Sequence, residues 1–274
     1  HIADVSYYVK PGTELDKEAR ERGTSVYLVD RTIPMLPEVL SNDLCSLVPN
    51  QDRLTMSAVF VMNKNGQVLS EWYGRTVIHS QKRFTYEEAE VSIKKAGSPL
   101  HKELSLLNSI AKKLNKERFA NGAISLDQPE VKFVLDKDGV PIKVIQKVRG
   151  DSNKLIEELM LLANKKVAKV ISGKNIVAIY RVHDLPNIDK MTDLAFFLRS
   201  LGHKVSLVDG LIPTHEINKL LESLEGKGES DTVHRAVIRS MSKAIYSTKN
   251  IGHYGLAFDF YTHFTSPIRR YPDS

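Results

Sequence analysis

The chain has 274 residues, 42% of them hydrophobic and 26% charged, a balance that fits a soluble globular protein with a sizeable core. Its formal charge of +6 favours an anionic partner, yet 33 acidic residues are interspersed with 39 basic ones, so charge alone does not single out nucleic acid. The one cysteine, Cys45, excludes an internal disulfide and a multi-cysteine zinc site, and no stretch approaches the roughly 18 apolar residues of a membrane span. A single thiol inside the apolar run Leu44 to Leu47 suits a reducing, cytoplasmic setting and a buried, inert role.

Ile2 to Val9 alternates and is rich in Val and Tyr, which predicts a strand. Leu15 to Arg22 has helical composition closed by Gly23, Ser25 to Val29 is β-like, and a short helix is expected from Glu38 after Pro34 and Pro37. Met56 to Met62 and Val68 to Tyr73 flank Asn63-Lys64-Asn65-Gly66, a hairpin signal, with Arg75 to His79 as a third strand. Leu100 to Phe119 carries the stripe Leu104, Leu107, Ile110, Ala111, Leu114 of an amphipathic helix. Val131 to Leu135 and Ile142 to Val148, joined through Asp138-Gly139, predict a second hairpin.

Asp151 or Ser152 then caps a long helix to Ser172, closed by Gly173, with Leu155, Leu159, Met160, Ala163, Val167 and Ile171 on one apolar face. A strand at Ile176 to Val182 follows, then helices over Ile188 to Leu201, Thr214 to about Leu224 and Thr232 to Ser247, and a strand at Tyr254 to Phe258. No repeat and no linker interrupts the chain, so residues 1–274 read as one α+β domain, a mixed or antiparallel sheet surrounded by helices. A first residue already inside a strand pattern and a last residue one turn into an expected helix suggest a domain truncated at both ends.

The last dozen residues hold the densest chemistry. Ser266 is placed to cap free amides, Pro267 fits the first helical position, and Arg269 and Arg270 project from the first turn. Free N–H groups, a helix dipole and guanidiniums together make an anion site suited to phosphate; equally, the pattern suits a plain helix start with two solvated arginines. On the long helix, Glu157 and Asn164 are two turns apart on one face, offset from the apolar stripe, which by itself describes a solvated polar face. Tyr27 and Tyr86 have polar neighbours and read by default as half-buried packing residues.

Thr262 to Asp273, THFTSPIRRYPD, preceded by NIGHYGLAFDFY, resembles the signature of the ribonuclease II and ribonuclease R family, the RNB-domain 3′→5′ exoribonucleases. IADVSYYV at Ile2, IPMLPEVLSNDLCSL at Ile33, KLIEELMLLANKKVA at Lys154 and IYRVHDLP at Ile179 agree with it in order, nearest the bacterial ribonuclease R branch. The resemblance implies the greater part of a catalytic domain that degrades single-stranded RNA processively to nucleoside 5′-monophosphates. It implies Arg269 as the catalytic arginine and Tyr27 as the aromatic that stacks on the terminal base. Tyr86 would shape the same cavity, and Glu157 would meet the 3′-terminal ribose hydroxyls. Asn164, Ser266 and Arg270 would contribute to RNA binding beside them. A π-face accepts any base at roughly 1–3 kcal/mol of stacking, which suits degradation without regard to sequence.

Two departures from the family pattern stand out. A second base-stacking aromatic is expected near Leu126; either leucine weakens that clamp or Phe133 takes the place. The resemblance implies a Mg²⁺ site on an Asp-rich segment upstream of His1; within these residues Asp4, Asp43, Asp184, Asp193, Asp259 and Asp273 are scattered singly, and no metal ligands are assigned here. His253 and His263 lie near the arginines, but the histidines show no HxH or HExxH spacing and read as core or surface residues. No GxGxxG or GxxxxGK[ST] spacing supports a nucleotide cofactor. The expected partner is single-stranded RNA, with flanking cold-shock and OB-type domains in the parent protein and no membrane. The alternatives are an RNA-binding or scaffolding module without hydrolysis, and a basic α+β protein with no nucleic-acid role.

Overall fold

Residues 1–125, 131–146, 149–174 and 176–274 are described by the structure, a computed structural model. They divide into two units: His1–Leu114, Glu130–Val167 and His263–Ser274 form the first, and Asn115–Pro129 with Ala168–Thr262 the second.

In the first unit the expected opening strand is cut short. β1 (Ile2–Ala3) gives way to one helical turn, α1 (Val5–Tyr8), because Asp4 accepts from the Tyr7 amide at 3.2 Å and from the Ser6 hydroxyl at 2.6 Å. A short carboxylate satisfying the free amides of a helix start outweighs the alternation that suggested a strand. α2 (Glu14–Arg22) is capped by Thr13 and closes at Gly23, whose φ is +68°. β2 (Val26–Tyr27) and β3 (Thr32–Ile33) make a small hairpin with Tyr27 opposite Thr32. The helix expected from Glu38 is a single wide turn over Val39–Leu44, where the Cys45 amide reaches back five residues to the Leu40 carbonyl.

β4 (Asp52–Met62) and β5 (Val68–His79) pair antiparallel along their length, with β1 on the other edge of β4. The sequence suggested separate strands on either side of Gly74, but β5 runs straight through it. The indole of Trp72 lies over Gly74, where a Cβ would come within 2.6 Å of the ring, so the glycine serves close packing and not a break. α3 (Tyr86–Lys94) starts with a reciprocal capping box of Thr85 and Glu88. α4 (His101–Ala120), the hairpin of β6 (Val131–Leu135) and β7 (Pro141–Gln146), and α5 (Asp151–Ser172) follow as expected in kind and order.

The core that matters for function gathers Val5, Ala19, Met35, Leu36, Leu40 and Cys45, and Ile268 and Tyr271 pack against it. Each fully buried aliphatic side chain contributes about 1.5–3 kcal/mol, so the end of the chain is anchored on the same residues that hold its beginning. Ile93, Ala111 and Leu155 join α3, α4 and α5 in a smaller cluster.

The second unit is mostly helical. β8 (Tyr180–Val182) precedes α6 (Ile188–Ser200), α7 (Thr214–Ser223) and α8 (Ser230–Ser240), whose inner faces bury Met191, Leu198, Ile217, Leu221, Val233 and Val237. α8 ends at Ser240 and not at Ser247. Ile245 to Ser247 form β9 against β8, and the Tyr246 ring takes the Arg181 guanidinium 4.7 Å from its centroid. The strand expected at Tyr254 to Phe258 is instead a tight turn closed by Ala257 at φ +54°, since the buried His183 ring and the half-buried His253 ring accept its Gly255 and Leu256 amides. Every named strand pair is antiparallel, and the class is α+β as the sequence indicated.

Candidate functional site

The residues singled out in the sequence, Tyr27, Tyr86, Glu157, Asn164, Ser266, Arg269 and Arg270, all belong to the first unit. The two tyrosines are exposed, Tyr27 at 62% and Tyr86 at 48%, too open for packing residues. Tyr27 rides the β2–β3 hairpin, and Tyr86 is the first residue of α3.

The expected helix at Ser266 does not form. The Ser266 carbonyl accepts from the Arg269 and Arg270 amides, making one turn, after which Arg270 is extended at φ −140° and ψ 120°. Pro272 cannot continue such a helix: it brings no N–H for the carbonyl four residues back, that of Ile268, and its ring crowds that carbonyl. A short 3₁₀ turn over Tyr271–Asp273 follows, and the Asp273 carboxylate accepts the Ser266 amide at 2.8 Å. Arg270 forms a 2.9 Å ion pair with the same carboxylate. Burial pushes the Asp273 carboxyl above the ordinary carboxylate range, with Arg270 pulling the other way.

This turn is strapped to the far end of the sequence. The Arg269 carbonyl accepts from the Ser25 amide at 3.0 Å and the Thr24 hydroxyl at 2.9 Å, and the Tyr271 amide donates to the Gly23 carbonyl at 2.9 Å. The Tyr271 hydroxyl donates to Asp16 at 2.8 Å, which raises the tyrosine's pKa. The residues strapped to Arg269 therefore lead directly into β2 and Tyr27. Arg269 itself is exposed, and its guanidinium has no hydrogen-bond or ion-pair partner among the described residues.

α5 contributes in two different ways. Glu157 pairs with Arg149 at 2.5 Å and stays about one-third exposed. Asn164 is buried, and its Oδ1 accepts from the Phe264 amide at 3.0 Å, so the solvated-face reading fails for it: it fixes the segment that leads to Ser266. The start of α5 is tied to α3 by Glu90, which accepts the Ser152 amide at 2.8 Å, while Asp151 pairs with Lys112 of α4 at 2.6 Å. The Lys94 ammonium, followed by such amide bonds, holds the Glu90 carboxyl below its usual range.

Sequence reasoning missed Arg149, Thr24 and the role of Asp273. Only the last left a signal, an acidic residue three positions after Arg270. Phe133, on β6, is 37% exposed, and Leu126 lies outside the described residues. Among the described residues no three His, Cys, Asp or Glu side chains converge to hold a metal ion.

The whole chain, residues 1–274, matches the model of the RNB domain. It belongs to the RNB-domain family. Ribonuclease R of Thermotoga maritima is 42% identical over 279 residues, covering 100% of this chain and 39% of the relative. Ribonuclease R of Escherichia coli is 41% identical over 99% of this chain and 34% of its own length. The chain thus spans well under half of these relatives. Among solved structures, Mycoplasma genitalium RNase R in complex with ribose methylated single-stranded RNA superposes with a TM-score of 0.91 at 30% identity, over 99% of this chain and 43% of that one. Nucleases of the RNB family are metal-dependent.

Proposed function

We propose that this chain is most of the catalytic domain of a longer 3′→5′ exoribonuclease that removes nucleoside 5′-monophosphates processively from single-stranded RNA. The observation that supports this most is the exposed Arg269, its guanidinium without a partner among the described residues, on a braced turn whose straps run into the Tyr27 hairpin. Tyr27 stacks on the terminal base, Tyr86 shapes the same cavity, and Glu157, oriented by Arg149, accepts hydrogen bonds from ribose hydroxyls, which separates RNA from DNA. Arg269 faces the scissile phosphate and stabilises the charge that grows on it as the bond to the leaving 3′ oxygen breaks. Asn164, Ser266 and Arg270 hold the wall on which that arginine stands. A bound Mg²⁺ would supply the activated water, and the residues named here would bind and orient the RNA beside it. Cold-shock and OB-type domains of the longer protein guide the strand in.

The test is Arg269→Ala in the full-length protein, measured on 3′-tailed RNA under single-turnover conditions. A donor used mainly in the transition state is worth about 10²–10³ in rate, so turnover falls by that factor while RNA affinity holds. Affinity falling as far as turnover refutes the role. Hydrolysis with neither parent nor variant favours the second reading, a module that binds RNA without cutting it.

A further inference from the structure

The turn that carries Arg269 is held from two sides. On the inside, the fully buried Asp273 carboxylate takes the Ser266 amide at 2.8 Å and the Arg270 Nη2 at 2.9 Å through one oxygen, Oδ2. On the outside, Gly23, Thr24 and Ser25 bind the backbone of Arg269 and Tyr271. The inner contact is not built for stability. Asp273 Oδ1, Arg270 Nε and the nearby Thr265 hydroxyl are buried without a partner among the described residues, whereas a two-point guanidinium–carboxylate pair would use both oxygens. Burying an ion pair costs solvation that its attraction only partly offsets, and apolar side chains of the same volume hold a turn at least as firmly. What the pair does provide is direction. With its guanidinium drawn inward by Asp273, Arg270 stands 21% exposed, and the neighbouring Arg269 is left to face outward.

We infer that Asp273 is a positioning residue for the proposed reaction: with Arg270 it forms a buried clasp that sets the Ser266–Arg270 turn and so aims the Arg269 guanidinium at the substrate phosphate. This rests on the role proposed above for Arg269, and acts through it. Asp273 touches no reacting atom.

A double-mutant cycle in the full-length protein tests it, with Asp273→Asn, Arg269→Ala and the two combined. Asparagine keeps an oxygen for the Ser266 amide and removes the charge that holds Arg270. Misplacing a catalytic group by about 1 Å costs roughly 10²-fold, so Asp273→Asn alone lowers the single-turnover rate on 3′-tailed RNA by about ten- to a hundredfold, with RNA affinity unchanged. In the Arg269→Ala background the same substitution has no further effect, because no guanidinium remains to be misaimed. Losses that multiply in the double variant, no loss in the single one, or affinity falling along with rate each overturn the inference. If Arg269→Ala alone leaves the rate untouched, it is the reading of Arg269 that fails, and the clasp then has nothing to aim. Should Asp273→Asn not fold, Arg270→Lys enters the same cycle with the same expected outcomes, since it keeps the charge on the buried partner and changes only the geometry.

Discussion

The packed histidine pair of the second unit, His183 buried and His253 half-buried, should make the chain acid-labile by an amount that can be stated. The His253 ring sits edge-on to His183 at 5.1 Å and to Tyr261 at 5.3 Å, and burial followed by repulsion from His183 pushes its pKa from 6.5 down to about 4. His183 is also pushed down, chiefly by burial, although the Ser242 carbonyl opposes this at 2.8 Å. Because the folded value lies below the unfolded one, the unfolded chain binds the proton first, and stability falls as pH drops through the window from 6.5 to about 4. For His253 alone the full loss is about 3 kcal/mol, of which about 2 kcal/mol is gone by pH 5. The control is His253→Phe, which keeps a ring in the same space. The Leu256 amide still has the backbone carbonyl of residue 253 at 3.2 Å, so no donor is orphaned. Urea unfolding of parent and variant at pH 7.5 and pH 5 should show a difference of roughly 2 kcal/mol in how much each loses. Equal losses in the two proteins would refute this account.

Tyr27→Ala removes an exposed ring and should weaken binding of single-stranded RNA by about 1–3 kcal/mol. The loss should be the same at low and high salt, since stacking releases no counterions; a loss confined to low salt counts against stacking. Gly150→Ala places a Cβ 2.5 Å from Glu90 Oε2 and drives that carboxylate off the Ser152 amide. The lost cap costs about 0.5–2 kcal/mol, against about 0.4–1 kcal/mol gained from a stiffer unfolded chain. Thermal unfolding should therefore show a net loss, turning into a small gain once Glu90→Ala has already removed the cap. Asn164→Ala strips the Phe264 amide of its acceptor and should cost about 1–3 kcal/mol, with Asn164→Asp restoring part of it; equal melting temperatures for Asn164→Ala and the parent would dismiss the contact.

Where the chain's own neighbours decide local structure, the sequence was readable. Gly23 closing α2, the turn residues around Asp138 and the apolar stripe of α5 each act within one turn of themselves. The misreadings came where a side chain competed with the pattern. Asp4 capped a helix inside an alternating run, the Trp72 ring turned Gly74 into a packing contact, and His183 and His253 took amides that a strand would have needed. The candidate site residues were singled out only through resemblance. Nothing in the spacing of Tyr27, Glu157 and Arg269 assigns them to one task, and the strap from Thr24 to Arg269 crosses 245 positions of sequence.

Adjacent arginines in the terminal motif look redundant as a sequence, and the backbone explains why they are not. Arg270 is extended and pairs antiparallel with Thr24, and in such backbone successive side chains leave in opposite directions. Arg270 turns its guanidinium inward to Asp273, leaving its side chain 21% exposed, while Arg269 on the preceding turn stays exposed. A charge sent inward needs a buried carboxylate, which Asp273 supplies within one turn. The division between a buried, bracing arginine and an exposed one thus follows from three neighbouring features: the single turn ended by Pro272, the extended residue at its end, and an acid placed to receive what the extension buries.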